Sequence, residues 1–130
     1  MAHLPPDPSD ADLVSYADRW PSLLEAEDYR AAFNFTTHDP EMRWSPERMR
    51  EVIKSYGDAA PAQRVTLDGQ PTDIIQRKNV DRWPLTEHGA LGEIWYDLNI
   101  DGFASDLTAT LTMIGRSDGI DIQLNDIHVM

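Results

Sequence analysis

The sequence predicts an α+β domain in which three N-terminal helices pack on one face of a curved antiparallel sheet built by the last forty residues. Three observations carry this. Apolar residues in the first half recur at helical spacing behind residues that cap helices. The last forty residues alternate apolar and polar with a period of two. Asp101-Gly102 falls between two such runs, where a two-residue type I′ turn needs positive φ at both positions. Helices first and a meander of strands last is the order of an α+β fold.

Residues 1–8 contain Pro5, Pro6 and Pro8 and are expected to be disordered, leaving residues 9–130 as a single domain. Ser9 then stands as an N-cap with Asp10 and Asp12 in the first turn, where the helix dipole favours acids. Leu13, Ala17, Trp20 and Leu24 form its apolar stripe. Pro21 either kinks this helix or restarts it, because proline has no N–H to bond back to Ala17. Asp28 caps a short second helix burying Tyr29, Ala32 and Phe33, and His38-Asp39-Pro40 beyond it reads as a turn. Ser45 caps the third helix, with Pro46 at its first position, Trp44 and Met49 placed as a hydrophobic staple, and Gly57 closing it after Tyr56. Residues 64–67 are a short strand candidate and residues 72–77 another. Residues 78–90 lack a period and are expected as a loop crossing the mouth of the structure.

The three long strands are predicted over 93–100, 103–114 and 120–129. Pairing outward from Asp101-Gly102 sets Ile100 against Phe103, Leu98 against Ser105, Tyr96 against Leu107 and Ile94 against Ala109, all on one face. A second turn around Asp118-Gly119 sets Met113 against Leu124, Leu111 against Asp126 and Ala109 against His128. In that register an acid and an imidazole land on the apolar face. A competing reading also stands. The apolar residues change phase from Ile120, Ile122 and Leu124 to Ile127 and Val129, as a β-bulge near Asp126 would produce, and such a bulge turns Asp126 and His128 to solvent.

Composition excludes several function classes. The chain of 130 residues has no cysteine, so disulfides, thiolate metal sites and a cysteine nucleophile are ruled out. No apolar run is long enough for a membrane span and no leader is visible at the N-terminus, so a cytoplasmic location is expected. The net charge is -12, with nine acids against two bases in residues 1–41 and seven against one in residues 91–130. That balance opposes binding to nucleic acid or to an anionic membrane, whose phosphates need Lys and Arg. The acidity serves solubility, or it forms an electrostatic surface for a basic partner.

The run Leu23-Leu24-Glu25-Ala26-Glu27-Asp28-Tyr29 leading into the second helix, together with the terminal meander, resembles the NTF2-like, cystatin-like cone fold. The stretch from Ser105-Asp106-Leu107-Thr108 to Leu124-Asn125-Asp126-Ile127-His128-Val129 is similar to the ends of small bacterial proteins. The resemblance implies a pocket between helices and sheet, and often a homodimer through the other sheet face. It implies no reaction, since that fold hosts isomerases, dehydratases, hydrolases and inactive binding modules.

The candidate catalytic residues are His128 and Asp126, a carboxylate that orients an imidazole being a common acid–base device. Tyr16, Trp20, Tyr29, Trp44, Tyr56 and Tyr96 are expected in the helix–sheet interior, as a ligand-pocket wall or as plain core. On the outer face Asp97 and Asp106 would stand opposite each other, a like-charge pair that costs stability, and Trp95 and Ile114 are the large apolar members of a face that fits a homodimer contact and equally an ordinary solvated sheet. The spacing of His38, His88 and His128 fits no metal site, and no nucleotide or hydrolase motif occurs, so no metal and no cofactor is expected. The expectation is therefore a module binding a small ligand or a protein. One alternative is a cofactor-independent isomerase or dehydratase using His128 and Asp126, and another is an acidic immunity-type protein neutralising a basic toxin.

Overall fold

A computed structural model describes residues 3–56, 63–84 and 89–129. The first predicted helix is two. Helix α1 (Asp10–Ala17) starts with a reciprocal capping box, the Ser9 Oγ accepting from the Asp12 N–H and the Asp12 carboxylate from the Ser9 N–H, both at 3.1 Å. It stops at Asp18, and α2 (Arg19–Glu25) begins anew. Pro21 then lies in the first turn of α2, where its missing N–H would have had no partner, so restarting wins over kinking. Helix α3 (Tyr29–Phe35) is capped by Asp28, and α4 (Pro46–Lys54) by Ser45, whose side chain accepts from the Arg48 N–H at 3.0 Å. Between them Asp39 caps a 3-10 turn over Pro40–Met42.

The strands are β1 (His3–Leu4), β2 (Val65–Thr66), β3 (Lys78–Arg82), β4 (Ala90–Ile100), β5 (Phe103–Arg116) and β6 (Gly119–Val129). They form an antiparallel sheet of order β1-β6-β5-β4-β2, with β3 also paired to β4. Three expectations need correction here. Residues 3 and 4, placed in a disordered segment, pair with the β6 edge through Leu4–Ile120, and Leu4 is buried. Residues 72–77 form no strand. Residues 78–82, read as loop, form an edge strand; its five residues are mostly exposed, so backbone pairing rather than an apolar face holds it and no alternation marks it. The expected cap Gly57 and His88 lie outside the described residues.

Turn and register decide where side chains go. Asp101 (φ 52°) and Gly102 (φ 83°) adopt the two positive φ values of the expected hairpin, and Ile100 pairs with Phe103. Farther along, the single Leu98 faces three residues, 105–107, so the pairs become Tyr96–Ala109 and Ile94–Leu111 rather than those expected. A slip of two preserves the face, because side chains alternate with period two. Ile94, Tyr96, Leu98, Leu107 and Leu111 accordingly all enter the core.

Between β5 and β6 the slip is one, and it inverts the face. Leu111 pairs with Leu124, but Thr110 pairs with Asp126, leaving Asn125 as the extra residue of a bulge. Ile127 therefore turns inward beside Ala109, and Asp126 and His128 move to the opposite face, paired with Thr110 and Thr108. The register that set Leu111 against Asp126 and Ala109 against His128 is not the one formed, nor is Met113 opposite Leu124; Met113 meets Ile122. The bulge satisfies hydrophobicity. It keeps Leu124 and Ile127 buried on both sides of the phase change.

One core results, with Leu13, Trp20, Leu24, Met49 and Ile53 of the helices against Ile94, Leu98, Leu111, Met113, Ile122 and Leu124 of the sheet, all at 0–1% exposure. Burial of the apolar stripe of each helix against one sheet face is what gives the α+β layers their stability.

Candidate functional site

Two bulges bring two polar residues to the rim of one groove. The β5 irregularity presents Asp106, the β6 bulge presents His128, and the chain just past α4 brings Tyr56. Together with Val52, Ser55, Leu107, Ile127 and Val129 they line a groove of about 430 Å³. Leu107 and Ile127 are buried and give it an apolar floor. The Tyr56 hydroxyl donates to the Asp106 carboxylate at 2.5 Å, and His128 Nδ1 lies 3.1 Å from Asp126 Oδ2. Burial, the hydrogen bond to Asp106 and the charge of that carboxylate all push the Tyr56 hydroxyl above its ordinary pKa, so it stays a donor at neutral pH. The His128 ring also meets Trp95 edge-on, 6.4 Å between centroids.

Chain folding past α4 explains why Tyr56 sits there. The buried Gln63 amide donates to the carbonyls of Ile53 (3.1 Å), Lys54 (3.2 Å) and Tyr56, closing the helix with a side chain. The Lys54 ammonium donates back to the Gln63 carbonyl at 2.8 Å and pairs with Glu27 at 3.1 Å.

Asp97 and Asp106 do not oppose each other. Thr108 stands opposite Asp97, which is 2% exposed and fully engaged: Thr108 Oγ1 donates to it at 2.7 Å, and Arg77 donates from its backbone N–H at 3.0 Å and from Nε at 3.2 Å. The like-charge clash in the expected register was therefore the sign of the irregularity that removes it. Asp106, read only as that clash's partner, is the site residue that sequence reasoning missed.

The aromatic set does not assemble into one pocket wall. Trp20, Tyr29, Trp44 and Tyr96 are buried core side chains; the Trp20 indole donates to the Ala32 carbonyl at 3.2 Å and the Trp44 indole to the Asn125 carbonyl at 3.1 Å, beside the bulge. Tyr16 stacks on Phe35 at 5.0 Å and borders a separate cleft between α1 and the N-terminal arm. Only Tyr56 reaches the groove of His128. His38 stacks on Phe33 at 3.9 Å, with Nε2 2.7 Å from the Phe33 carbonyl, and serves the turn.

Tyr96 ties the sheet to the α1–α2 break. Its hydroxyl donates to Asp18 Oδ1 at 2.6 Å, and the Lys78 ammonium of β3 reaches the same oxygen at 2.9 Å. Burial, then the bond and charge of Asp18, push the Tyr96 hydroxyl far above its ordinary value. Burial works against the Asp18 carboxylate, but the donors Tyr96 and Lys78 outweigh it and hold its pKa below 3.8. A depressed carboxylate stabilises the fold above its unfolded pKa and loses that contribution as pH falls through the folded one; a raised phenol contributes below pH 10 and loses its share above it. Tyr96→Phe is expected to cost about 1 kcal/mol at neutral pH, and less below the Asp18 transition, in urea titrations at each pH. An unchanged difference across that range would show that the Asp18 charge is not what Tyr96 binds.

Residues 22–130 match the family model of a domain of unknown function, DUF7668. The chain belongs to the DUF7668 family. No curated protein and no solved structure matches it. The matched span of this DUF7668 chain contains every residue lining the groove, from Val52 to Val129, whereas β1 and α1 precede it. Among its described residues no helix is long and apolar enough to cross a membrane.

Proposed function

We propose that this DUF7668 protein is a binding module on an NTF2-like frame, and that its contact site is the Tyr56–Asp106–His128 groove. The observation that carries this reading is convergence: two separate departures from regular pairing deliver Asp106 and His128 to the same apolar-floored groove. Bulges interrupt ladder hydrogen bonds, and they are enriched where a strand must re-aim a side chain at a site. The groove has the make-up of a small-ligand site, an apolar base with a few placed polar groups. Its acceptors suit an occupant with an apolar body and a hydroxyl or ammonium donor.

The test is an amide-resolved NMR screen of the labelled protein with small apolar amines and alcohols. Hits are expected to shift residues 105–107 and 127–129, and His128→Ala is expected to weaken them about tenfold, or about 1.4 kcal/mol. Hits that bind wild type and variant equally would remove His128 from the site.

A second reading, acid–base catalysis on the bound molecule, rests on the 3.1 Å contact between His128 Nδ1 and Asp126 Oδ2, with Tyr56 lining the same groove as His128. In it Asp126 orients the imidazole as general base, and Tyr56, its hydroxyl turned away from Asp106, donates to a developing oxyanion. A turnover lost in both His128→Ala and Tyr56→Phe would favour it; turnover kept in both would end it.

A further inference from the structure

The Tyr56–Asp106–His128 groove does not end at Asp106. A second groove of about 480 Å³, lined by Asp73, Ile74, Ile75, Arg77, Asp97 and Asp106, shares that residue with the first, so the two adjoin at Asp106. The large apolar side chains left most exposed among the described residues are Ile75 at 73% and Val129 at 57%, and one lies in each groove. Holding both in water is unfavourable, and covering them is what an occupant would gain.

Charge selects the occupant. In the second groove Arg77 is neutralised by Asp97 at 3.2 Å, while Asp73 and the shared Asp106 have no ion-pair partner among the described residues. Asp106 accepts from Tyr56, which brings no positive charge. A second copy of the chain, itself at -12, would be repelled, and so would a nucleic acid. The two anchors sit in different grooves that share Asp106, a layout an extended chain can follow from one to the other.

We infer that the joined grooves are a docking track for an extended segment of a basic protein partner, with Lys or Arg at Asp106 and Asp73 and apolar residues over Ile75 and Val129. This rests on the binding-module reading and names its occupant. The exposed apolar pair supplies contact area and the acids supply sign selectivity, a division seen generally at polar interfaces.

The probe is the heptapeptide acetyl-Leu-Ser-Lys-Ser-Lys-Ser-Leu-amide against its analogue with Glu in place of Lys, each titrated into the full labelled chain. The Lys peptide is expected to shift the amides of Ile75, Asp106 and Val129 and to bind at least about fivefold more weakly when salt rises from about 0.05 M to about 0.5 M. Ile75→Ser, at a side chain too exposed to matter for folding, and Asp106→Asn, which keeps an acceptor for Tyr56, are each expected to weaken binding about tenfold. Asp118→Asn, in the turn between β5 and β6, should leave it unchanged. Equal binding of the Glu peptide, shifts elsewhere on the surface, or no shift at about millimolar peptide would overturn the inference. Small amines still binding beside His128 in that case would leave the binding-module reading standing, and loss of both would end both.

Discussion

Trp20→Ala is expected to remove about 3–5 kcal/mol of unfolding free energy, a large part of the roughly 5–15 kcal/mol such a domain has. Trp20 is 0% exposed and is the largest fully buried side chain. It stands in the first turn of α2, and its indole N–H donates to the Ala32 carbonyl of α3 at 3.2 Å. Truncation to alanine therefore opens a cavity in the core and removes the hydrogen bond joining two helices. Trp20→Phe separates the two effects: it keeps most of the apolar volume and loses the donor, so about 1–2 kcal/mol is expected. Urea denaturation of both variants measures this. A loss below about 1 kcal/mol for alanine would mean that the core collapses around the missing ring.

Gly92→Ala is expected to cost about 2–4 kcal/mol and to detach β3. Gly92 has φ 150°, and a Cβ built on it would lie 2.1 Å from the Asp81 carbonyl oxygen and 2.9 Å from the Arg82 Cα, both backbone atoms of β3. The Met113 Cε at 2.6 Å can swing away, but the β3 backbone must move as a unit. Only residues 78–82 pair this strand to β4, and Arg82 is also where the arm and α1 are held, through bonds to the Pro8 carbonyl at 2.9 Å and to Asp10 at 2.7 Å. Amide exchange should accelerate over 78–82 while β5 stays protected. Equal protection of β3 in wild type and variant would show that the strand accommodates the methyl.

The locally encoded parts were legible because each depends on a few adjacent residues. Ser9, Asp28 and Ser45 cap helices as expected, since a short side chain satisfies N–H groups two or three positions on. Asp101-Gly102 makes its turn for the same kind of reason. Of the site, Tyr56 and His128 were named as candidates, both for the helix–sheet interior rather than for a groove beside Asp106. Strand β3 was missed because an edge strand with mostly exposed side chains is specified by the backbone groups it meets, which leave no pattern. The closure of α4 was missed too, because its donor, Gln63, lies nine residues beyond Lys54.

By itself the sequence determined the α+β layering, the caps, the hairpin turn and the face on which Ile94, Tyr96, Leu98, Leu107 and Leu111 lie, since all of these follow from short-range sterics and a period of two or 3.6. Only the tertiary structure decided how many residues face each other across the strands. Leu98 opposite three residues keeps parity, whereas the single extra Asn125 reverses it and carries Asp126 and His128 from the core face to the opposite face of the sheet. The physical reason is that a bulge trades local ladder hydrogen bonds for burial of Leu124 and Ile127 against distant helices, and that balance is struck only when the helices are in place.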